Sequence, residues 1–294
     1  MRTLPVLRRL AERIEGAEAL DPLGEKLNAA LSAVPRPAPV EDVLSGTPVG
    51  HPLHPALVAV PMGAWVSVPF LDAAGQDDAA TRLVGLGLLA AVPTAATGAS
   101  DWLTTNSAER RVGLVHALLN YAGIGSYLVS WLQRRRGRRT AGMITSTLGL
   151  TFVSAAGWLG GHLAYAQGVG VDTTAFESFP EDWTDAVAEA DVPADGMASA
   201  QVGGVPILLA RTGGTVVALG DRCTHRGAPL HEGDLRDGCV HCPWHDSVFA
   251  LADGEVVSGP ATRPQPALET RVRDGRVQVR RVEQRGLRSN VAGH

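Results

Sequence analysis

The chain has 294 residues, 45% of them apolar and only 19% charged, with a formal net charge of −4. A soluble chain of this size carries about 25% charge, so a wholly water-soluble single domain is disfavoured. The apolar content excludes disorder for most of the length. There is no basic excess to serve as a nucleic-acid footprint, and three cysteines are too few for a disulfide scaffold. Lys26 is the one lysine among 26 basic residues, which reads as coding bias.

Residues 1–50 form an amphipathic and linker segment. Leu4, Leu7, Leu10 and Ile14 recur at helical spacing, as do Leu20, Leu23, Leu27 and Leu31. Arg8, Arg9, Arg13 and several glutamates fill the other face. The pattern fits a helix lying in a membrane interface and equally an ordinary surface helix. No apolar signal-peptide core is present. Pro35-Arg36-Pro37-Ala38-Pro39 then breaks the period and reads as a linker.

Between Pro55 and Val171 the charged residues fall in three short clusters: Asp72 to Arg82, Asp101 to Arg111, and the arginine run 134–139. The stretches between them, 55–71, 83–100, 112–132 and 140–171, carry no charge. Roughly 20 apolar residues cross a bilayer, so residues 51–171 are expected to form a four-helix transmembrane bundle. For the first two stretches, buried helices of a soluble core are the competing reading. Gly157 and Gly161, beside Ala155 and Ala156, supply the small surface that lets helices approach in lipid. Trp65, Trp102, Trp131 and Trp158 lie within or at the ends of the spans, as interfacial aromatics do.

Residues 172–182 read as a linker. From 183 to 281 short β-rich runs alternate with Gly, Asp and Pro, for example Val205–Ala210, Thr215–Leu219, Ser247–Leu251 and Arg276–Val282. This predicts a small all-β domain behind the bundle, followed by a tail over 282–294.

The β domain carries Cys223-Thr224-His225 and Cys242-Pro243-Trp244-His245. Each pair joins a thiolate to an imidazole. Two Cys and two His suit a tetrahedral zinc ion or a [2Fe–2S] cluster with two thiolates on one iron and two imidazoles on the other. C-x-H is an awkward opening for a zinc finger. The repeated Cys-His order suits two loops gripping one binuclear centre.

The segments 223–230 (CTHRGAPL) and 242–249 (CPWHDSVF) resemble the two cluster loops of a Rieske iron–sulfur domain, and Gly259-Pro260-Ala261 resembles its third, covering loop. The resemblance implies one [2Fe–2S] cluster, with Cys223 and Cys242 on one iron and His225 and His245 on the other. Gly227 and Pro229 would shape the first loop, Pro260 would cover the cluster, and Ser247 would donate a hydrogen bond to a sulfide. Quinol-oxidising Rieske domains add a disulfide at the positions held here by Ala228 and Trp244, and a tyrosine at the position of Phe249. Asp246 replaces the usual glycine. Cys239 has no partner and is expected to be a buried free thiol. Fewer donors and a nearby negative charge predict a potential low in the Rieske range of about −150 to +300 mV. The motif is closer to ferredoxin-type Rieske domains. Rieske oxygenases carry a large catalytic domain after this one, and only the residues beyond Arg281 follow here, so no catalytic residues are assigned.

The membrane half resembles the DUF2231 family of four-helix membrane proteins, through Gly50-His51-Pro52-Leu53-His54-Pro55, Asp101-Trp102, His116 and Gly160-Gly161-His162-Leu163. With alternating spans His51, His54, Asp101, His116 and His162 gather at one membrane face, the face carrying the Rieske domain. Ionisable groups in spans are functional-site candidates. They predict a haem b or quinone site, with His116 and His162 as the inner pair and His51 or His54 interfacial. Helix-end histidines satisfied by water and backbone are the plain alternative.

The expected protein is integral to the cell membrane. It would carry one electron between a redox protein and a membrane component or quinone. The alternative is a ferredoxin-like or nitrite-reductase-small-subunit-like head on a passive anchor. Arginines near the spans favour the Rieske domain outside, six against three. Counting the whole N-terminal tail reverses this to eight against six, so the side stays open.

Overall fold

The computed structural model describes residues 5–282, so Leu4 and all but the first residue of the expected tail lie outside it. The chain divides into two compact units at Val171/Asp172. Among the described residues seven α-helices precede ten strands.

The first unit begins with α1 (Pro5–Glu15), α2 (Asp21–Ser32) and α3 (Ala38–Ser45). Small residues make the contact with the bundle: Ala11 is buried, and Gly24 lies against the Arg110 side chain. Leu7, Leu10, Leu23, Leu27 and Leu31 therefore stay exposed. Arg111 clamps the segment, donating twice to the Asp21 carboxylate and once to the Glu15 carbonyl, each at 2.6 Å.

Four helices follow, α4 (Leu53–Ala73), α5 (Asp77–Leu103), α6 (Ser107–Arg135) and α7 (Arg139–Tyr165), each long and apolar enough to cross a membrane. They extend past the charge-free stretches into the bordering charges, several of which are paired or capping. Asp72 is bound by Arg134, and Glu109 accepts from the Asn106 backbone N–H at the start of α6. The last helix stops at Tyr165, well short of Val171, because Gly168 and Gly170 adopt left-handed backbone angles of +71° and +76°. The bundle buries polar side chains beside an apolar core of Trp65, Val68, Val84, Tyr127 and Val153, and exposes large apolar ones. Asp72, Thr94, Thr97, Ser130, Arg134 and Ser146 are buried, while Phe70, Leu89, Val92, Leu118 and Ile144 are exposed. Such a surface belongs in lipid rather than water.

The bundle is one helical hairpin built twice. Helices α5 and α7 both have 27 residues and are displaced along the chain by the same interval that separates Asp72 from Arg134, 62 residues. The turns before them use Gly75 and Gly137 at φ +72° and +73°. Residues at equivalent positions touch each other. His54 faces His116 with ring centres 6.4 Å apart, Trp65 stacks on Tyr127 at 4.3 Å, and Arg134 grips Asp72 through two 2.6 Å hydrogen bonds. Trp65 packs over Gly87 and Tyr127 over Gly149, the matching glycine. Helix α5 packs on α6 and α4 on α7, two copies of one interface. A residue meets its own counterpart only beside a two-fold axis, so a pseudo-two-fold runs between α4 and α6.

The second unit has a six-stranded antiparallel sheet, in the order β1 (Thr184–Ala188), β10 (Arg276–Arg281), β9 (Ala267–Arg273), β4 (Thr215–Gly220), β3 (Val205–Thr212) and β2 (Met197–Val202). A smaller sheet runs β5 (Asp234–Arg236), β6 (Cys239–His241), β7 (Val248–Ala250) and β8 (Val256–Ser258). Strand β3 is buried on both faces. Leu208 joins Leu219, Leu230, Val240 and Phe249, and Ile207 and Leu209 join Val277 and Val279 on the other side. Residues 172–182, read as a linker, are tied to this unit. The Thr173 hydroxyl donates to the Cys223 carbonyl at 2.7 Å, its N–H donates to the Thr224 carbonyl, and Glu177 pairs with Arg222 at 2.8 Å.

Candidate metal centre

Two loops of the β unit carry the Cys and His pairs, and both close with the same hydrogen bonds. In the loop after β4, the Cys223 N–H donates to Ala228 O (2.9 Å) and the Gly227 N–H to Cys223 O (2.8 Å). Between β6 and β7, the Cys242 N–H donates to Ser247 O (2.9 Å) and the Asp246 N–H to Cys242 O (3.1 Å). The fourth residue after each cysteine must be left-handed. Gly227 takes φ +76° freely, and Asp246 takes +55° at a cost an aspartate bears better than most residues. Asp246 also meets the His241 ring, Nδ1 to Oδ1 3.2 Å.

A third loop closes over the second. Gly259 has φ +94°, and a Cβ there would sit 2.7 Å from Ser247 Cα, so only glycine fits. Half-buried Pro260 follows. The Ala261 N–H donates to the Ser247 hydroxyl oxygen at 3.1 Å, leaving the hydroxyl hydrogen of that fully buried serine to be donated elsewhere. On the first loop, half-buried Pro229 bridges to Arg222. Gln265, buried, spans the Cys223 position: its amide donates to Gly220 O and Arg222 O, both at 2.7 Å, and its oxygen accepts from the Thr224 N–H. Neither Gln265 nor Thr173 shows a sequence signal, because their role is to satisfy backbone groups from distant positions.

The four candidate ligands come together as two pairs. Cys223 and Cys242 are buried and within hydrogen-bonding reach of each other. Backbone N–H groups of His225 and Arg226 point at the first sulfur and those of Trp244 and His245 at the second. The shared proton holds Cys223 protonated, and donation from Cys223 draws the Cys242 thiol down to about 6. The His225 and His245 rings meet edge to face, centres 5.1 Å apart. Burial, with the neighbouring His245 and Arg226 charges, pushes His225 down to about 3, so its imidazole is neutral and its lone pair available. Its Nδ1 atom is buried with no hydrogen-bond partner. Among the described residues no three His, Cys, Asp or Glu side chains close around one ion position. A thiol pair beside an imidazole pair, with donors aimed at both sulfurs and an orphaned imidazole nitrogen, fits a binuclear cluster better than a single zinc ion.

The departures are also visible. Ala228 is buried and Trp244 is 55% exposed, so no bridge joins these loops. Phe249 is in the core. Cys239 is half-exposed rather than buried, because Val240 takes the inward position on the three-residue β6.

In the bundle the facing pair is His54 and His116, not His116 and His162. His162 instead meets Glu15 of α1 at 2.7 Å and stacks on Trp158. His51 is exposed on the turn before α4, and Asp101 is half-buried near the end of α5. Spacing along each helix could not show this, since it does not say which helices adjoin.

Comparison with known families agrees with this division. Residues 182–278 match the Rieske [2Fe-2S] domain and residues 50–173 the predicted membrane protein family DUF2231. The chain is 36% identical over 85 residues to the anthranilate 1,2-dioxygenase ferredoxin subunit of Burkholderia cepacia, covering 29% of this chain and 79% of that protein. It is 37% identical over 79 residues to the ferredoxin CarAc of Metapseudomonas resinovorans, covering 27% and 74%. A match of 47% over 68 residues to the carotenoid phi-ring synthase of Chlorobaculum tepidum covers 23% of this chain and only 10% of that one. The chain belongs to the Rieske [2Fe–2S] proteins, its Rieske domain carried behind a DUF2231 membrane domain.

Proposed function

We propose that this protein is a membrane-anchored electron carrier that passes single electrons between a redox protein and a component of the cell membrane. The observation that carries it is the twofold loop geometry, with paired thiols, paired imidazoles and backbone donors aimed at both sulfurs. A bound [2Fe–2S] cluster supplies a one-electron couple. Cys223 and Cys242 would hold one iron and His225 and His245 the other. Gly227 and Pro229 shape the first loop, and Ser247 and Pro260 the far side. The backbone donors lower the cost of thiolate charge. The half-buried imidazoles and the exposed Trp244 form the side a partner approaches. The similarity to ferredoxin subunits of dioxygenase systems supports a protein partner of that kind.

The helical unit holds the carrier in lipid, with the exposed leucines of α1 and α2 resting in the headgroup boundary. The same ferredoxin likeness favours a second reading, in which the bundle is a passive anchor for a ferredoxin-like head.

Iron, acid-labile sulfide and EPR of the reduced full chain test the cluster. Two irons and two sulfides per chain are expected, lost in Cys223→Ser, His225→Ala, Cys242→Ser and His245→Ala. Stoichiometric zinc without acid-labile sulfide would overturn the reading.

A further inference from the structure

The pseudo-two-fold axis of the bundle passes between two histidines that are placed identically. The His54 Nδ1 lies 2.9 Å from the Thr94 carbonyl oxygen on α5, and the His116 Nδ1 lies 2.7 Å from the Ala156 carbonyl oxygen on α7. Each acceptor stands 40 residues after its histidine. Four residues further on, each ring lies over a glycine. A Cβ at Gly98 would come 2.7 Å from His54 Cε1, and one at Gly160 would come 3.1 Å from His116 Cε1. Elsewhere along the axis the two halves have diverged, to Trp65 against Tyr127 and Asp72 against Arg134. At this level the histidine, its carbonyl and its glycine are the same in both halves.

A carbonyl only accepts, so each Nδ1 carries the proton and each Nε2 presents a lone pair. Fixing the tautomer through a backbone carbonyl is how metal-ligating histidines are oriented. The ring centres are 6.4 Å apart at an interplanar angle of 80°, a separation one metal with bonds of about 2.0–2.1 Å to each ring bridges once the two Nε2 atoms turn toward each other. An oxidised quinone needs a donor at its carbonyl, which this tautomer does not provide.

We propose that His54 and His116 form a two-imidazole site for one transition-metal centre, a bare divalent ion or haem iron, on the pseudo-two-fold axis of the membrane bundle. Haem iron brings a dianionic ring that offsets its charge where both protein ligands are neutral. Asn120 Nδ2 lies 3.1 Å from His116 Nε2 and 3.0 Å from the His116 carbonyl. Metal at Nε2 would displace the first of these contacts and keep the second. The site is independent of the cluster reading, and the two are separated by acid-labile sulfide, which only the cluster contributes.

The test is titration of the full chain, purified in detergent with its cluster content recorded, with hemin and separately with Co2+. One of the two probes is expected to saturate at one per chain. A Soret band with hemin identifies haem iron, and a cobalt ligand-field spectrum without hemin binding identifies the bare ion. Affinity is expected to fall about tenfold or more in His54→Ala and in His116→Ala, and to be unchanged in His162→Ala. His54→Gln and His116→Gln, which keep a polar side chain, serve if the alanine variants do not assemble. Saturation by neither probe in the parent chain overturns the proposal whatever the variants do. So does undiminished binding in folded variants at both positions, or loss of quinol-dependent cluster reduction in those variants while the parent binds neither probe.

Discussion

At the residue scale the metal centre is one loop used twice, and its second copy carries the informative differences. Asp246 occupies the left-handed position that Gly227 fills in the first copy, so a carboxylate stands where a side chain is ordinarily absent. Ser247, next in line, accepts from the Ala261 N–H and has its hydroxyl hydrogen left to donate. If that hydrogen meets a cluster sulfur, Ser247→Ala removes one hydrogen bond worth about 0.5–1.5 kcal/mol. The one-electron potential should then fall by roughly 20–65 mV, while Ser247→Thr holds it. Redox titration followed by EPR reads the shift, and an unchanged potential in the alanine variant would place the hydroxyl hydrogen elsewhere.

At the element scale the helices are locked where their charges meet. Arg134 and Asp72 pair with side chains 1% and 4% exposed, and Arg134 also bonds Ser130 and Ser146. Removing one partner strands the other. Arg134→Leu or Asp72→Leu alone should destabilise the bundle by about 3–5 kcal/mol, and the double variant should recover most of the loss. Thermal unfolding in detergent measures both. Exchanging the two residues should rescue only partly, because the positions equivalent to Ser130 and Ser146 are Val68 and Val84.

The N-terminal helices depend on a more exposed pair. Hydrogen bonds from Arg111 hold Asp21 below its ordinary 3.8. A carboxylate depressed in the folded state contributes stability that is present above its unfolded value and lost as pH falls through the folded one. Helices α1 and α2 should therefore be protected at neutral pH and loosen in acid, and Asp21→Asn should loosen them at both. Hydrogen exchange over residues 5–32 at the two pH values checks this.

For the whole molecule, the two compact units predict separable behaviour. A fragment beginning at Asp172 should fold and take up its cluster. One beginning at Trp183 loses the two Thr173 hydrogen bonds to the Cys223 loop and the Glu177–Arg222 pair. At about 1 kcal/mol per hydrogen bond, and roughly 4–8 °C per kcal/mol in a domain of this size, its Tm should drop by about ten degrees. Differential scanning calorimetry of the two fragments compares them. Equal melting would mean that 172–182 is only a tether.

The four membrane helices and the cluster loops were legible from residue types alone. Charge-free runs of about 20 residues match the thickness of a bilayer, and a Cys-x-His facing a Cys-x-x-His is chemistry written in local spacing. What depends on which helix adjoins which was not. The sequence placed His54, His116 and His162 at one end of the bundle, but only packing put His54 opposite His116 and gave His162 to Glu15. The duplicated hairpin stayed hidden for the same reason. Two of its three axial contacts join unlike residues, Trp65 with Tyr127 and Asp72 with Arg134. The chain keeps only scattered identities at the 62-residue offset, such as His54/His116, Gly87/Gly149 and Gly98/Gly160, and packing is what shows that these positions meet across an axis.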